Sequence, residues 1–271
     1  MRVPAAVALI HPAPAAAVVA LSGLLALIIA GQERDVATWR VGLVVLSVAG
    51  SQVATGALND WADRGRDRAA RPEKPIPAGR LGARIALWVA AAGVIVQVAA
   101  SVPLGALATA LGLAALASAV VYDLGLSRTP ASVLPYLVSF GLLPLWVAAG
   151  VGVPLERMLP VVPFVAPLAA AAHLANTLRD WDADAAGGSR SLGQVLGRRR
   201  GRQTALVLAI GAGVAAGILL AAAGRLNVAT AALGVIGLLA VVQGARNEVA
   251  LWYGILGAAV LWAGAWALST G

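Results

Sequence analysis

Residues 41–67 read VGLVVLSVAGSQVATGALNDWADRGRD. From Val41 to Leu58 no side chain is charged. At 1.5 Å per residue such a run crosses most of a hydrocarbon layer of about 30 Å. Three aspartates, Asp60, Asp63 and Asp67, then follow within two turns. A membrane helix that ends in acids is the unit from which the rest of the chain can be read. The 271 residues are 60% hydrophobic and only 12% charged, with mean hydropathy +0.86. Soluble chains carry about 25% charged residues. A large soluble domain and a disordered chain are therefore excluded. The apolar runs are continuous rather than alternating, so a porin-like barrel is excluded too. With no cysteine there are no disulfides or thiolate metal sites, and His11 and His173 are too few for a multi-histidine centre.

Similar apolar stretches recur along the chain. They predict an all-α, polytopic membrane bundle of nine transmembrane helices, near 5–30, 41–63, 83–100, 103–121, 132–150, 159–180, 204–223, 227–243 and 249–268. The first run is too long for a signal-peptide core and reads as a retained span, with Pro12 and Pro14 bending its start. Residues 1–271 read as one domain, without a linker or low-complexity tail. With the N-terminus inside, the inner segments hold 16 of the 20 basic residues: Arg2, the run from Arg64 to Arg84, Arg128, the run from Arg179 to Arg202, and Arg246. Only Arg34, Arg40, Arg157 and Arg225 fall outside. This asymmetry predicts a multi-pass protein of a bacterial inner membrane with its long loops in the cytoplasm. It also explains the net charge of +8 by contact with an anionic bilayer surface, so no nucleic-acid partner is implied.

Six of the twelve acids lie in two short clusters. One is Asn59-Asp60-Trp61-Ala62-Asp63-Arg64-Gly65-Arg66-Asp67 and the other is Asn176-Thr177-Leu178-Arg179-Asp180-Trp181-Asp182-Ala183-Asp184. A shift of 117 residues superposes Asn59 on Asn176, Asp63 on Asp180 and Asp67 on Asp184. Each cluster leads into a basic, glycine-containing loop, so the pattern reads as an internal duplication of the acidic motif. Asp60, Asp63 and Asp67 share one helix face, as do Asn176, Asp180 and Asp184, while Asp182 points elsewhere. Like charges at this spacing destabilise a helix, and an aspartate at membrane depth costs about 3 kcal/mol. A divalent cation such as Mg²⁺ offsets both, and it leaves positions for water and phosphate oxygens. Two matched clusters favour that reading over solvated helix ends with ion pairs.

The two clusters and their loops resemble the UbiA-type family of intramembrane prenyltransferases. Asn59-Asp60-x-x-Asp63-x-x-x-Asp67, followed by Arg71-Pro72-Glu73-Lys74-Pro75-Ile76-Pro77-Ala78-Gly79-Arg80-Leu81, is similar to the family's first aspartate motif and its "RP…PIPSG" loop. Asp180-x-x-x-Asp184 with Gly188-Ser189-Arg190-Ser191-Leu192 and Leu196-Gly197 resembles the second. The resemblance implies a bundle around a central cavity, with two Mg²⁺ ions holding a prenyl diphosphate between the motifs. It makes Asp60, Asp63, Asp67, Asp180 and Asp184 metal ligands, and Asn59 and Asn176 contacts to metal or diphosphate. Three positions depart from the family's pattern. Thr177 stands where many members repeat the Asn-Asp pair. In Tyr122-Asp123-Leu124-Gly125-Leu126-Ser127-Arg128, Leu126 and Ser127 occupy the places where many members carry a lysine, with Arg128 just beyond. His11-Pro12 stands where an Arg or Lys is common.

The charge arithmetic agrees with a metal-assisted site. One carboxylate–diphosphate pair at 4 Å costs about 4 kcal/mol at an effective dielectric of 20. Magnesium together with Arg71, Lys74, Arg128, Arg64 and Arg190 offsets this and stabilises a leaving diphosphate. With Tyr122, Asn59 and Asn176 these form the candidate substrate-binding set. Asp63, Asp67, Asp180 and Asp184 form the catalytic one. A polar stripe, Gln52, Thr55 and Asn59, runs deeper from the first motif and is expected to line the cavity. His173 reads either as a catalytic group facing the reacting centre or as a helix–helix hydrogen bond. Trp61 and Trp181 read as interfacial anchors. Transfer of the prenyl group to a membrane-associated acceptor (aromatic, quinone precursor or lipid) is the leading expectation. Terpene cyclisation without an acceptor is the alternative. A transporter is disfavoured because its acids lie near the midplane, and a CDP-alcohol phosphotransferase because its compact acidic signature is missing.

Overall fold

The computed structural model describes residues 4–33 and 36–269. Arg2 and Arg34, two of the basic residues used above for sidedness, lie outside them. The described chain is helical, without strands: α1 (Ala5–Ala8), α2 (Pro12–Gly31), α3 (Thr38–Ala70), α4 (Ala83–Ser101), α5 (Ala106–Asp123), α6 (Leu134–Val151), α7 (Val162–Arg179), α8 (Trp181–Ala186), α9 (Leu192–Ala222), α10 (Val228–Gly244) and α11 (Glu248–Ser269). A helix stands in each of the nine expected places. Eight are long and apolar enough to cross a membrane, and the remaining one, Val228–Gly244, is shorter.

Two boundaries differ from the expectation for a physical reason. α3 runs to Ala70 rather than stopping near residue 63, because Asp60, Asp63 and Asp67 continue its buried face and the Arg71 amide closes it on the Asp67 carbonyl (2.8 Å). α9 begins at Leu192 rather than 204. Ser191 caps it by accepting from the Gln194 amide, and Leu192 and Leu196 pack on the core despite the arginines around them. Gly197 interrupts that helix with a left-handed φ of 79°.

The chain divides into two compact units, the first comprising residues up to Gly125 with Leu145–Pro154 and the second Leu126–Pro144 with the residues from Leu155 onward. In the first unit α3 and α4 form the most extensive seam. Gly50 and Gly93 face each other across it so closely that a Cβ on Gly93 would lie 2.5 Å from the Ala54 amide and 2.7 Å from the Gly50 carbonyl. Small residues let membrane helices approach in this way. Polar contacts lock the seam where hydrocarbon offers no competing water: Ser47 Oγ pairs with Ser101 Oγ at 2.5 Å, and Gln97 Nε2 donates to the Gly112 carbonyl of α5 at 2.8 Å. Arg40 donates to the carbonyls of Leu104 and Gly150, both at 2.9 Å, at two helix C-terminal ends.

The second unit packs α7, α9, α10 and α11 around Leu168, Leu174, Ala205, Ala209, Leu251, Ile255 and Trp262. Trp262 fits against Gly213 and Gly237 and donates its indole N–H to the Gly234 carbonyl (3.2 Å). A reciprocal box between Asn227 and Thr230 starts α10.

Candidate functional site

The buried face of α3 changes character along its length. Val44, Ser47, Ser51, Ala54 and Ala57 pack as apolar or small residues, and the same face continues as Asp60, Asp63 and Asp67. These three carboxylates are 2%, 7% and 3% exposed, which puts them among the protein interior rather than at a wetted helix end. The spacing argument from the sequence therefore holds in three dimensions. Gln52, Thr55 and Asn59 lie half-buried beside this face, and the Thr55 hydroxyl is turned back to the Ser51 carbonyl.

Buried carboxylates need cations and donors, and the first unit supplies them from three directions. Lys74 Nζ lies 2.8 Å from Asp60 Oδ1 and 2.7 Å from Asp67 Oδ2 and so bridges the two ends of the acidic face. It is held there by a self-bonded loop, in which the Pro75 carbonyl accepts from both Arg80 and Leu81 amides and the Ala78 amide donates to Lys74. Arg66 reaches back one turn to Asp63 Oδ2 at 2.6 Å. His11 Nε2 meets Asp60 Oδ1 at 3.1 Å. His11 is the one non-glycine residue with positive φ (47°) among those described, a conformation costing roughly 1–2 kcal/mol. The turn before it packs onto α3 at Gly56, where a Cβ would sit 3.0 Å from the Ile10 backbone. Asn59 Nδ2 donates to Asp123 Oδ1 at the end of α5 (3.1 Å), and Asp123 Oδ2 is buried with no hydrogen-bond partner.

The carboxylates are strung along a helix, and among the described residues no three acids or histidines converge on one point as a closed metal cage would require. Magnesium does not need such a cage. It is bound through one or two carboxylates and keeps waters and phosphate oxygens on its other positions. The hard oxygen donors of Asp60, Asp63 and Asp67, two of which already hold the Lys74 ammonium between them, fit a divalent cation.

The second motif is built differently. α7 ends at Arg179, Asp180 leaves helical geometry (φ −94°, ψ 15°), and α8 restarts at Trp181. Asn176, Asp180 and Asp184 are thus not on one straight helix as expected, although the amides of Asp180 and Asp184 still bond back four residues at 3.0 Å. All three are half-buried. The Arg179 guanidinium pairs with Asp180 at 3.1 and 3.2 Å and lies over the Trp252 ring. Asp182 is exposed and pairs with Arg198 at 2.8 Å, in keeping with its expected outward direction. Thr177 is a packing residue, buried against Gly193.

Other candidates sort as follows. Arg64 is not brought to the acids; it lies over the Trp61 ring, 4.3 Å from its centroid, and donates to the Trp61 carbonyl. Arg128 and Arg190 are both exposed and are joined by a backbone hydrogen bond of 3.0 Å. Arg71 and Tyr122 are half-buried next to the first motif in sequence and next to Asp123, respectively. His173 is wholly buried, with Nε2 3.0 Å from Ser132 Oγ and its ring 4.6 Å from that of Tyr136. Ser132 Oγ in turn accepts from the Leu192 amide. His173 thus ties α7 to Ser132 in the turn before α6. His11 and Asp123 enter the site without having been singled out as site residues.

Comparison with known proteins follows the same line. The pattern of the UbiA prenyltransferase family matches residues 16–270. The chain is 33% identical over 181 residues to digeranylgeranylglyceryl phosphate synthase of Methanoculleus marisnigri, and 31% identical over 163 residues to that of Natronomonas pharaonis. These stretches cover 65% and 58% of this chain and 62% and 58% of the relatives, so the chain spans less than two thirds of either. The fold resembles that of a UbiA homologue from Aeropyrum pernix (TM-score 0.74, 21% identity, covering 92% of this chain and 96% of that one). It also resembles that of a UbiA homologue from Archaeoglobus fulgidus bound to GPP and Mg²⁺ (TM-score 0.72, 15% identity, 99% and 100%). With its long apolar helices, the chain is an integral, multi-pass membrane protein.

Proposed function

The chain belongs to the UbiA prenyltransferase family, and from that premise we propose that it transfers a prenyl group from a prenyl diphosphate to an acceptor held in the membrane, at a site on the cytoplasmic face of a bacterial inner membrane. The observation that carries this reading is the acidic face of α3, where three carboxylates are buried and one lysine bridges two of them. A structural ion-pair network has no use for three carboxylates in a row within a membrane helix. A Mg²⁺–diphosphate headgroup does.

When bound, two Mg²⁺ ions would supply positive charge to the diphosphate and to the charge that develops as it leaves. Asp60, Asp63 and Asp67 would hold one ion directly or through water, and Asp180 and Asp184 the other. Asn59 and Asn176 would face the cation or the diphosphate. Lys74, released from its carboxylates as the cation arrives, and Arg71 would hold diphosphate oxygens, with Arg128, Arg190 and Tyr122 as further contacts. The apolar helix faces would exclude water from the allylic carbon once its C–O bond ionises. The names of the two relatives make a prenylated glyceryl phosphate the first acceptor to try, with aromatic acids and quinone precursors next.

The test is product analysis with purified protein, Mg²⁺ and prenyl diphosphates from geranyl to geranylgeranyl length, with and without lipid acceptors. Diphosphate release and a prenylated product that both require Mg²⁺ and acceptor are expected. Asp63→Ala and Asp180→Ala should each lower turnover by about 10²-fold or more. A hydrocarbon or terpene alcohol formed without acceptor would replace transfer by cyclisation. Full activity in both variants would overturn the role of the acids.

A further inference from the structure

Asp123 ends α5 and has no part in the chemistry above. Its side chain is 6% exposed, and it follows a helix whose preceding turn, Ala119-Val120-Val121-Tyr122, offers it no charge partner in sequence. Oδ1 accepts from Asn59 Nδ2 at 3.1 Å, while Oδ2 meets nothing. Asp63 lies close enough for its charge to act on the same carboxylate. An unmatched buried oxygen costs on the order of 1–3 kcal/mol, and a like charge nearby adds to that. An apolar residue would pack here at lower cost, so a buried polar acceptor is not explained by packing.

The hydrogen bond has a direction with chemical consequences. An asparagine can present either N–H donors or a carbonyl oxygen. One Nδ2 hydrogen is committed to Asp123, which fixes the plane of the Asn59 amide and leaves Oδ1 and the second N–H to offer. A carbonyl oxygen is a ligand for a hard cation, whereas an N–H would address a phosphate oxygen. We propose that Asp123 is a positioning residue of the first acidic motif, which fixes the Asn59 amide so that its oxygen joins the aspartates of α3 as a donor to the divalent cation. The inference rests on the prenyl diphosphate reading and deepens it by giving the Asn59 oxygen a cation as its partner. Outer carboxylates that orient a ligand typically change metal affinity 10–100-fold when removed.

The measurement is equilibrium binding of Mn²⁺, as a paramagnetic stand-in for Mg²⁺, to the full chain in detergent, followed by electron paramagnetic resonance. Asp123→Leu should bind about tenfold more weakly. Asp123→Asn should stay near wild type, because its amide oxygen still accepts from Asn59. Asn59→Ala combined with Asp123→Leu should bind no more weakly than Asn59→Ala alone. Asp123→Ala carries the same expectation as Asp123→Leu should the larger side chain prevent folding, and thermal unfolding without metal reports on that. Wild-type affinity in Asp123→Leu, an additive loss in the double variant, or equal losses in Asp123→Asn and Asp123→Leu would each overturn the proposal. Asp63→Ala separates the two levels. If wild type binds no Mn²⁺, or Asp63→Ala binds as well as wild type, the reading of the whole motif fails and this one with it. If Asp63→Ala loses binding while Asp123→Leu does not, only the role of Asp123 fails.

Discussion

Lys74 sets the electrostatics of the first motif, because its ammonium is within 2.8 Å of two carboxylates that are each almost fully buried. Removing one partner of such a group leaves uncompensated charge inside the protein, which costs about 3–5 kcal/mol. Lys74→Met should therefore lower the thermal stability of the metal-free protein by roughly that amount, and Mg²⁺ should recover a large part of it. The same loss with and without Mg²⁺ would show that the cation does not reach Asp60 and Asp67. Lys74→Arg should not fully substitute, since the planar guanidinium cannot take the compact position of an ammonium between two oxygens. Single residues also show where sequence reading stops. The aspartates were legible because their helical spacing is a local property. His11 and Asp123 were not, since they reach Asp60 and Asn59 across 49 and 64 residues, and only the packing of α2 and α5 on α3 brings them there.

At the level of elements, the α3–α4 seam decides whether the acidic face is presented at all, since α3 carries both. Gly93→Ala places a methyl against the backbone of Ala54 and Gly50, which cannot yield as a side chain would. Overpacking of this kind costs about 1–3 kcal/mol, so a lower unfolding temperature is expected together with weaker Mn²⁺ binding. Gly217→Ala is the contrast: no atom lies within 4 Å of the added Cβ, and a helical glycine gains up to about 1 kcal/mol on becoming alanine. Equal effects of the two substitutions would show that the seam is not tight. The helices themselves were legible from apolar runs, but their ends were not. Hydropathy ends a helix where charges begin. The charges of α3 continue its inner face, and those at the start of α9 share turns with the core residues Leu192 and Leu196. In the second motif the opposite error arises, because the break at Asp180 leaves no glycine or proline in the sequence to announce it.

For the whole molecule, the number of bilayer crossings turns on α10, and the basic residues and helix lengths address it together. Val228–Gly244 has 17 residues, about 26 Å of helix, at the lower limit for a crossing. If it crosses, Arg246 returns to the side that holds Arg200, and the charge asymmetry of the sequence is kept. If it does not, Arg246 stays with the Ala223 turn on the opposite face. The chain contains no cysteine, so single cysteines can be read without background. Glu73→Cys, Arg200→Cys, Ala223→Cys and Arg246→Cys all replace exposed residues. A membrane-impermeant maleimide should label Ala223→Cys in intact spheroplasts and the other three only in inverted vesicles. Labelling of Arg246→Cys together with Ala223→Cys would make α10 a non-crossing helix. Labelling of Glu73→Cys and Arg200→Cys from opposite faces would do more damage, because the loops after the two acidic motifs could then not serve one diphosphate.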